Sequence, residues 1–506
     1  MDSPEDPRSE PASAVDSAWP TARWYAEATG GAWVGATPPA ETRVRGAGID
    51  TREDCSGRLF AALRGRRDGH DHLAAAAAGG AALLLVEAAN AERRRREVPP
   101  EVPMLAVADP RTALATAARA WRSHLAGRVV AITGSCGKTT TKRLLHAALR
   151  GRLSGVASPR SFNNDLGVPL TLLGTPRNAD YVVLEVGTSG PGEIAHLASI
   201  VRPHLAVVTM VGRAHLERLG SIEGIAAEKA SLLDRLVAPA VAVVRADGGV
   251  LEAAVAARAG RIGEVVTFGD SRKAMLRVAG RRSDEHGQEV RLGDGRRFRI
   301  RLPGAHQAEN ATAALAAALR LGVDFESAAA GLASVEPEAH RSVARSAAGL
   351  RFLDDAYNAN PDSMRAALAT IAEIEDDAGT ALVLGDMLEL GPQARRLHAT
   401  LGRAAADLAA SRPVPLAVFV GPLAAVAADA FESAAPQVPC LRADAATPEL
   451  ARAIVERLPS GTRVLLKASR GVGLDRIVDW SEASEATLVE TSDPTIAPAA
   501  AVSPRD

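Results

Sequence analysis

The chain has 506 residues, 47% of them hydrophobic, which is too much for one core; at roughly one domain per 150 residues it should hold about three. Lys and Arg number 59 against 60 Asp and Glu, so no global field draws it to nucleic acid or to an anionic membrane, and small-molecule partners are expected. Cys55, Cys136 and Cys440 are widely spaced and form no CxxC or Cys/His cluster, which argues against a disulfide frame or zinc site and for a reducing compartment.

Residues 1–21, opening "MDSPEDPRSEPASAVDS", are acidic and rich in Pro and Ser, and lack the basic segment and apolar run of a signal peptide; they read as a disordered leader. A first block, residues 22–127, mixes short apolar runs with turn signals, and "GIDTREDCSGRLFAALRGRRDGHDHL" should carry its polar cluster in loops between strands. Apolar runs such as Leu73 to Val86 fall short of the roughly 18 residues that span a bilayer, so no membrane span is expected.

The second block, residues 128–334, alternates "VVAI", "YVVLEV", "LAVVTM" and "VAVV" with helical stretches, the pattern of a mostly parallel sheet covered by helices. Within it "RVVAITGSCGKTTTKRLLHAALR" reads as strand, glycine turn and helix, with Leu144, Leu145, Ala148 and Leu149 on the apolar face. The usual phosphate loop would need glycine at 132, where Ile132 sits; Gly134, Ser135, Cys136 and Gly137 instead lead directly into Lys138, Thr139 and Thr140. The loop is two residues shorter, yet its amides and the helix N-terminus still point at phosphate, Lys138 can reach the β/γ oxygens, and Thr139 can ligate Mg²⁺.

Glu185 ends the strand "YVVLEV", at the edge where parallel strands form a ligand crevice, and a hard carboxylate there suits Mg²⁺. His215 follows "LAVVTMVGRA" at the same rim; by softness alone an imidazole is an uncommon magnesium ligand, and a loop histidine is more often merely polar surface. In "SIEGIAAEKASLLDRLV", Ser221 should cap a helix whose apolar stripe, Ile222, Ile225, Ala226, Leu232, Leu233 and Leu236, also contains Lys229. Such a lysine either snorkels to the edge or is held at the site. Asn310, in "PGAHQAENATAALAAALRLG", reads equally as a cap or a helix-surface residue.

The third block, residues 335–480, restarts the alternation with "LRFLDD", a helix carrying Met364, Leu368 and Ile371 on one face, "TALVLG", "PLAVFVG" and "RVLLKAS", and is Rossmann-like. "LDDAYNANPDSM" should end a strand and start a helix at Pro361, so Tyr357, Asn358 and Asn360 line the crevice. Residues 481–506 are Ser, Pro, Ala and acid rich and read as a disordered tail. The expected architecture is α/β in three domains: an N-terminal substrate domain, a central mononucleotide-binding domain and a C-terminal Rossmann-like domain.

"TGSCGKTTTK" is similar to the phosphate loop of the Mur ligase superfamily, ATP-dependent amide-forming enzymes of cell-wall precursor synthesis and folate polyglutamylation. "SFNNDLGVPLTLL", "PGEIAHLASIVRPHLAVVTMVGRAHLERLGSIEGIAAEKASLL", "LDDAYNANPDSMRAAL" and "VLGDMLELG" resemble its MurF branch, and the resemblance covers about residues 22–480. It implies a cytoplasmic, monomeric ligase that joins D-alanyl-D-alanine to UDP-N-acetylmuramoyl tripeptide through an acyl phosphate, with one domain each for the uridine substrate, ATP and the dipeptide. It implies ATP on residues 134–140, with Asn310 reading adenine, His306 shaping that pocket, Arg341 at phosphate and Asp355 at the ribose hydroxyls.

The same resemblance implies a pair of Mg²⁺ ions on Thr139, Glu185, His215 and a Lys229 carbamoylated by CO₂, with Lys138, His215 and Lys229 as the catalytic set. "GIDTRE" is similar to the motif with which the branch holds uridine, here Asp50, Thr51 and Arg52. Asn163, Asn164 and Asp165 either face the sugar-peptide or hold their own loop, and Tyr357, Asn358 and Asn360 should lie near the dipeptide. "LLKASRG" resembles a KGSR-type turn that keeps Lys467 and Arg470 but has Ala468 for glycine, and His340 in "PEAHRSV" also replaces a commoner glycine. Alternatives are another Mur-type amino-acid ligase, a folylpolyglutamate synthase, or an ATP-binding switch without ligase activity. "YNANPDSM" and the uridine-type first block argue against the first two; a switch would release phosphate regardless of peptide substrates.

Overall fold

The computed structural model describes residues 18–284, 287–374 and 379–491. Most of the expected leader and the end of the expected tail lie outside the described residues. Three sheets follow one another along the chain. The first joins β1 (Ala32–Trp33), β2 (Ala47–Gly48), β3 (Leu59–Ala61), β4 (Leu83–Glu87) and β5 (Met104–Val107) in the order β1-β5-β4-β3-β2, with only β1 antiparallel.

The second sheet contains β6 (Arg128–Thr133), β7 (Gly155–Ala157), β8 (Tyr181–Glu185), β9 (Leu205–Val208), β10 (Val241–Arg245), β11 (Glu264–Gly269), β12 (Leu276–Asp284), β13 (Gly287–Leu292) and β14 (Arg297–Ile300). Their order is β14-β13-β12-β11-β10-β9-β6-β8-β7, parallel from β12 to β7 and antiparallel beyond. The third runs β15-β16-β20-β17-β18-β19, formed by Val343–Ala347, Leu350–Asp354, Arg463–Lys467, Thr380–Gly385, Ala417–Val420 and Cys440–Ala443, with β15 alone antiparallel. Strand β9 and the interiors of β6 and β8 are unbroken Val, Ile, Leu and Ala runs because helices cover both faces of this sheet.

The helices that position the site are α1 (Pro110–Arg122), α2 (Lys138–Arg150), α3 (Glu193–Val201), α4 (Ile222–Ala230), α5 (Ala305–Arg320), α6 (Pro361–Glu373) and α7 (Arg476–Thr491). Asp109 starts α1 by accepting from the amides of Arg111 and Thr112, and Pro110 fits the first turn. Although α1 belongs to the first block, its buried face of Ala113, Leu114, Ala117, Ala118 and Trp121 shares one core with Val129, Val168, Leu172 and Leu197 of the second. Trp121 Nε1 donates to Thr175 O at 2.9 Å, and the buried Arg122 guanidinium donates to the carbonyls of Val201 and Arg202 at the end of α3. The first sheet is therefore fastened to the second by a helix that both cover. The third sheet has its own core, which also takes in Leu216 and Ile225 from the second block.

One expectation needs correction. The stretch read as a tail from residue 481 continues α7 to Thr491, and Ser481 is buried with its hydroxyl on Ile477 O. "SEASEATLVET" contains neither Gly nor Pro, so its composition favours continuing a helix already anchored by Ile477 and Val478.

Candidate functional site

Between the second and third sheets lies a cleft of about 1020 Å³, lined by the phosphate loop, the ends of β8 and β9, the start of α5 and the β16–α6 connection. Parallel strands put their carboxyl ends, and so the residues that follow them, at one edge. The loop leaves β6 at Thr133 and enters α2 at Lys138, with φ +151° at Gly134 and +84° at Gly137. Both positions need glycine for space as well: a Cβ on Gly134 would fall 1.9 Å from Thr209 Oγ1, and one on Gly137 2.2 Å from Asn310 Oδ1. Thr209, which the sequence did not single out, braces the loop by donating to Cys136 O at 2.5 Å.

Ser135 does not offer its amide to the cleft. That amide donates to Met210 O, and its hydroxyl bonds Gly212, so Ser135 ties the loop to the segment after β9. Lys138 Nζ folds back onto Gly134 O at 2.8 Å, an arrangement that a phosphate can replace. Thr139 and Thr140 occupy the first turn of α2, where amides lack intrahelical partners. Asn310 is neither cap nor surface: it is buried within α5, bonded to Gln307 and seated on Gly137. His306 is half-buried beside it with Nδ1 out of solvent and unpartnered, and desolvation pushes its pKa down to about 4, so the ring is neutral at pH 7.

Glu185 closes the other wall. Its side chain is 1% exposed, Oε1 accepts from Asn163 Nδ2 at 2.9 Å, and Oε2 lies 3.3 Å from the ammonium of Lys142, which also donates to Arg160 O. Lys142, one helical turn beyond Lys138 on α2, was missed by the sequence reading. His215 faces the cleft and meets Glu389 Oε2 with Nδ1 at 2.6 Å; burial lowers its pKa against the opposing pull of Glu389.

Lys229 does not snorkel. It is 2% exposed on α4, a helix that Ser221 caps as expected, and burial followed by the charge of Lys138 lowers its pKa to about 7. It lies behind the cleft wall, close enough to Lys138 and His215 to perturb and be perturbed. Its neighbour Glu228, also missed, accepts from the amides of Gly192 and Ile194 and so anchors the start of α3.

The third sheet contributes Arg341, Asp355, Tyr357, Asn358, Asn360 and Lys467. Arg341 lies 3.8 Å over the Tyr357 ring, and its Nη2 is 3.4 Å from Thr139 Oγ1, so it already touches the phosphate loop. Asn360 caps α6 and meets Cys136 Sγ, a second bridge between the sheets. Lys467 gives its protons to Asp355 Oδ2 at 2.6 Å and Asn358 O at 3.1 Å, ordering the turn that presents both. Arg470 does not line the cleft but sits 5.2 Å from the Tyr357 ring.

The two departures from the family pattern have structural reasons. His340 adopts φ +61°, where glycine is favoured, and is held there by its Nδ1 bond to the buried Asp354 carboxylate at 2.7 Å. Ala468 is fully buried, and its methyl group occupies the space that Gly385 leaves: a Cβ there would lie 2.7 Å from it.

Some expected residues are not gathered in the cleft. Asp50, Thr51 and Arg52 lie in the turn after β2 and none lines it; Arg52 closes on Asp50, which its hydrogen bonds hold at a pKa of about 2. Asn163, Asn164 and Asp165 do line it, yet Asn163 holds Glu185, Asn164 accepts from the Leu166 and Gly167 amides, and Asp165 pairs with Arg111 of α1. Their hydrogen bonds are those of the loop-holding alternative.

Among the described residues no three His, Cys, Asp or Glu side chains converge as a metal cage. Mg²⁺ takes one or two carboxylates and completes its octahedron with water and substrate phosphates. Glu185 and Thr139 supply hard oxygens on the cleft wall beside the loop.

Comparison with known proteins agrees with this geometry. The Mur ligase middle domain model matches residues 132–318, and the Mur ligase glutamate ligase domain model matches residues 340–470. The chain belongs to the Mur ligase family. This Mur ligase is 33% identical to the UDP-N-acetylmuramoyl-tripeptide–D-alanyl-D-alanine ligase of Bacillus subtilis over 87% of its own length and 93% of the relative's. Its fold matches MurF from Acinetobacter baumannii with a TM-score of 0.74 at 31% identity, covering 93% and 98% of the two chains. It also matches MurF ligase from Thermotoga maritima in complex with ADP, with a TM-score of 0.71 at 27% identity over 88% and 99%. Among the described residues no helix of the ligase is long and apolar enough to cross a membrane.

Proposed function

We propose that this chain joins D-alanyl-D-alanine to UDP-N-acetylmuramoyl tripeptide at the expense of ATP, as a cytoplasmic monomer working on small molecules. The observation that carries the reading is the convergence of phosphate loop, Glu185 wall and Tyr357–Asn360 turn on one cleft. Relatives over most of both chains support the substrate pair.

ATP binds with its phosphates on the amides of residues 136–140 and its base against Asn310 and His306. The tripeptide carboxylate attacks the γ-phosphorus, ADP leaves, and an acyl phosphate forms. The dipeptide amine then attacks the carbonyl carbon, loses a proton and expels phosphate, so that one amide forms for each ATP split. Lys138 releases Gly134 O to follow the migrating charge, and Arg341 meets it from the third sheet. Thr139, Glu185, His215 and a carbamoylated Lys229 would hold a pair of Mg²⁺ ions, which neutralise phosphate charge and orient the oxygens. Burial lowers the Lys229 pKa to about 7, toward the neutral amine that CO₂ requires. Asp50, Thr51 and Arg52 take the uridine end, with Arg52 swinging off Asp50. Asn163, Asn164, Tyr357, Asn358, Asn360, Lys467 and Arg470 shape the cleft around the two peptide substrates, and Asp355 meets the ribose hydroxyls.

Phosphate release measured with ATP, Mg²⁺, UDP-muramoyl tripeptide and D-Ala-D-Ala should require all four. Release indifferent to the dipeptide would overturn the ligase reading in favour of a switch. Lys138→Ala should abolish turnover while leaving uridine-nucleotide affinity unchanged; loss of both would mean that Lys138 serves folding.

A further inference from the structure

The segment after β17, Asp386–Gly391, crosses from the third sheet to the second block, where Glu389 meets His215. Both residues have left-handed backbone, φ +60° and +58°. Histidine visits that region more readily than glutamate, for which it costs about 1–2 kcal/mol. The hydrogen bond to His215 does not offset this: the Glu389 side chain is 62% exposed, and a contact that open contributes under about 1 kcal/mol.

The fold holds the strained turn by other means. Leu390 and Leu216 are buried in one core, Leu388 N donates to Ser469 Oγ, and Met387 N donates to His398 Nε2. Gly391, at φ +54°, lets the turn approach the helix after His215, where a Cβ would fall 3.2 Å from Glu217 Cα. The packing thus fixes a carboxylate against one nitrogen of one imidazole. An ionised carboxylate only accepts, so Nδ1 carries the proton and Nε2 keeps a bare lone pair, the form in which histidine binds metal.

We propose that Glu389 is a positioning residue of the metal site: donated by the third sheet, it holds His215 in the tautomer that presents Nε2 to a divalent cation. The site is then complete only while the third sheet is docked on the second. This rests on the reading of His215 as a metal ligand.

Mn²⁺, titrated by electron paramagnetic resonance into the full chain with a non-hydrolysable ATP analogue, serves as the probe. Glu389→Ala should weaken Mn²⁺ binding about 10-fold or more, and Glu389→Gln less, because its carbonyl still accepts from Nδ1. His215→Ala should weaken it at least as much, and the double variant no further than His215→Ala alone. If His215→Ala weakens binding while both Glu389 variants stay within about twofold of wild type, or if the losses multiply in the double variant, the role of Glu389 is overturned. If His215→Ala changes nothing, the metal role of His215 falls first and this inference with it. The isosteric Glu389→Gln keeps the test decisive should Glu389→Ala fail to fold.

Discussion

Removing the Lys142 ammonium should be the costliest single change in the cleft wall. Its side chain is 3% exposed and that of Glu185 1%, so solvent screens the pair little. Deleting one partner of such a pair costs about 3–5 kcal/mol, because the survivor stays charged or must take a proton in a dry site. At about 2–4 °C per kcal/mol for a unit of roughly 200 residues, Lys142→Met should lower the unfolding midpoint by roughly 6–20 °C. Lys142→Met combined with Glu185→Gln should recover most of that loss, since no charge is then left unpaired and the amide oxygen can still accept from Asn163. Scanning calorimetry on wild type, both single variants and the double variant, without nucleotide, closes the cycle. Simple addition of the two single losses would refute the reading of Lys142 and Glu185 as one charge-compensating unit.

Gly134→Ala should cost ADP affinity roughly tenfold, the equivalent of the 1–2 kcal/mol of left-handed strain, before the clash with Thr209 is counted; calorimetric titration giving wild-type affinity would contradict the loop geometry. Lys229 titrates at about 7 in the folded chain against an ordinary 10.5, so the unfolded chain holds the extra proton between those values and stability should rise as pH climbs through that window. Lys229→Met should lose that rise; denaturation profiles of identical slope in both proteins would show that the amine is not dry.

The residues most legible from sequence are those whose position follows from strand–helix alternation. Glu185 ends one parallel strand and His215 lies in the connection that leaves another, so the edge they share is fixed once the strands are recognised. Lys142 was invisible because, at helical spacing from Lys138, it reads as an ordinary helix charge; its partner Glu185 lies 43 residues away. "VLGDMLELG" was noticed as a motif, but the contact that gives Glu389 a role spans 174 residues. Asn310 had two local readings, and neither anticipated that it would abut a glycine across the loop, because only packing brings them together. Likewise the resemblance of "GIDTRE" implies a uridine ligand, whereas what the structure shows there is Arg52 closed on Asp50. The helix that overruns the expected tail combines anchoring by preceding core residues with a stretch that holds neither Gly nor Pro.

The fastening of α1 has a geometric consequence. With Trp121 and Arg122 bonded to carbonyls of the second block inside a shared core, the turn at Asp50–Arg52 cannot swing relative to the phosphate loop without unfolding that core. The span between those two points is a fixed rule. A ligand gripped at one end presents its far terminus to the loop only if its own length matches, and selection by length then needs no side chain that reads the intervening residues.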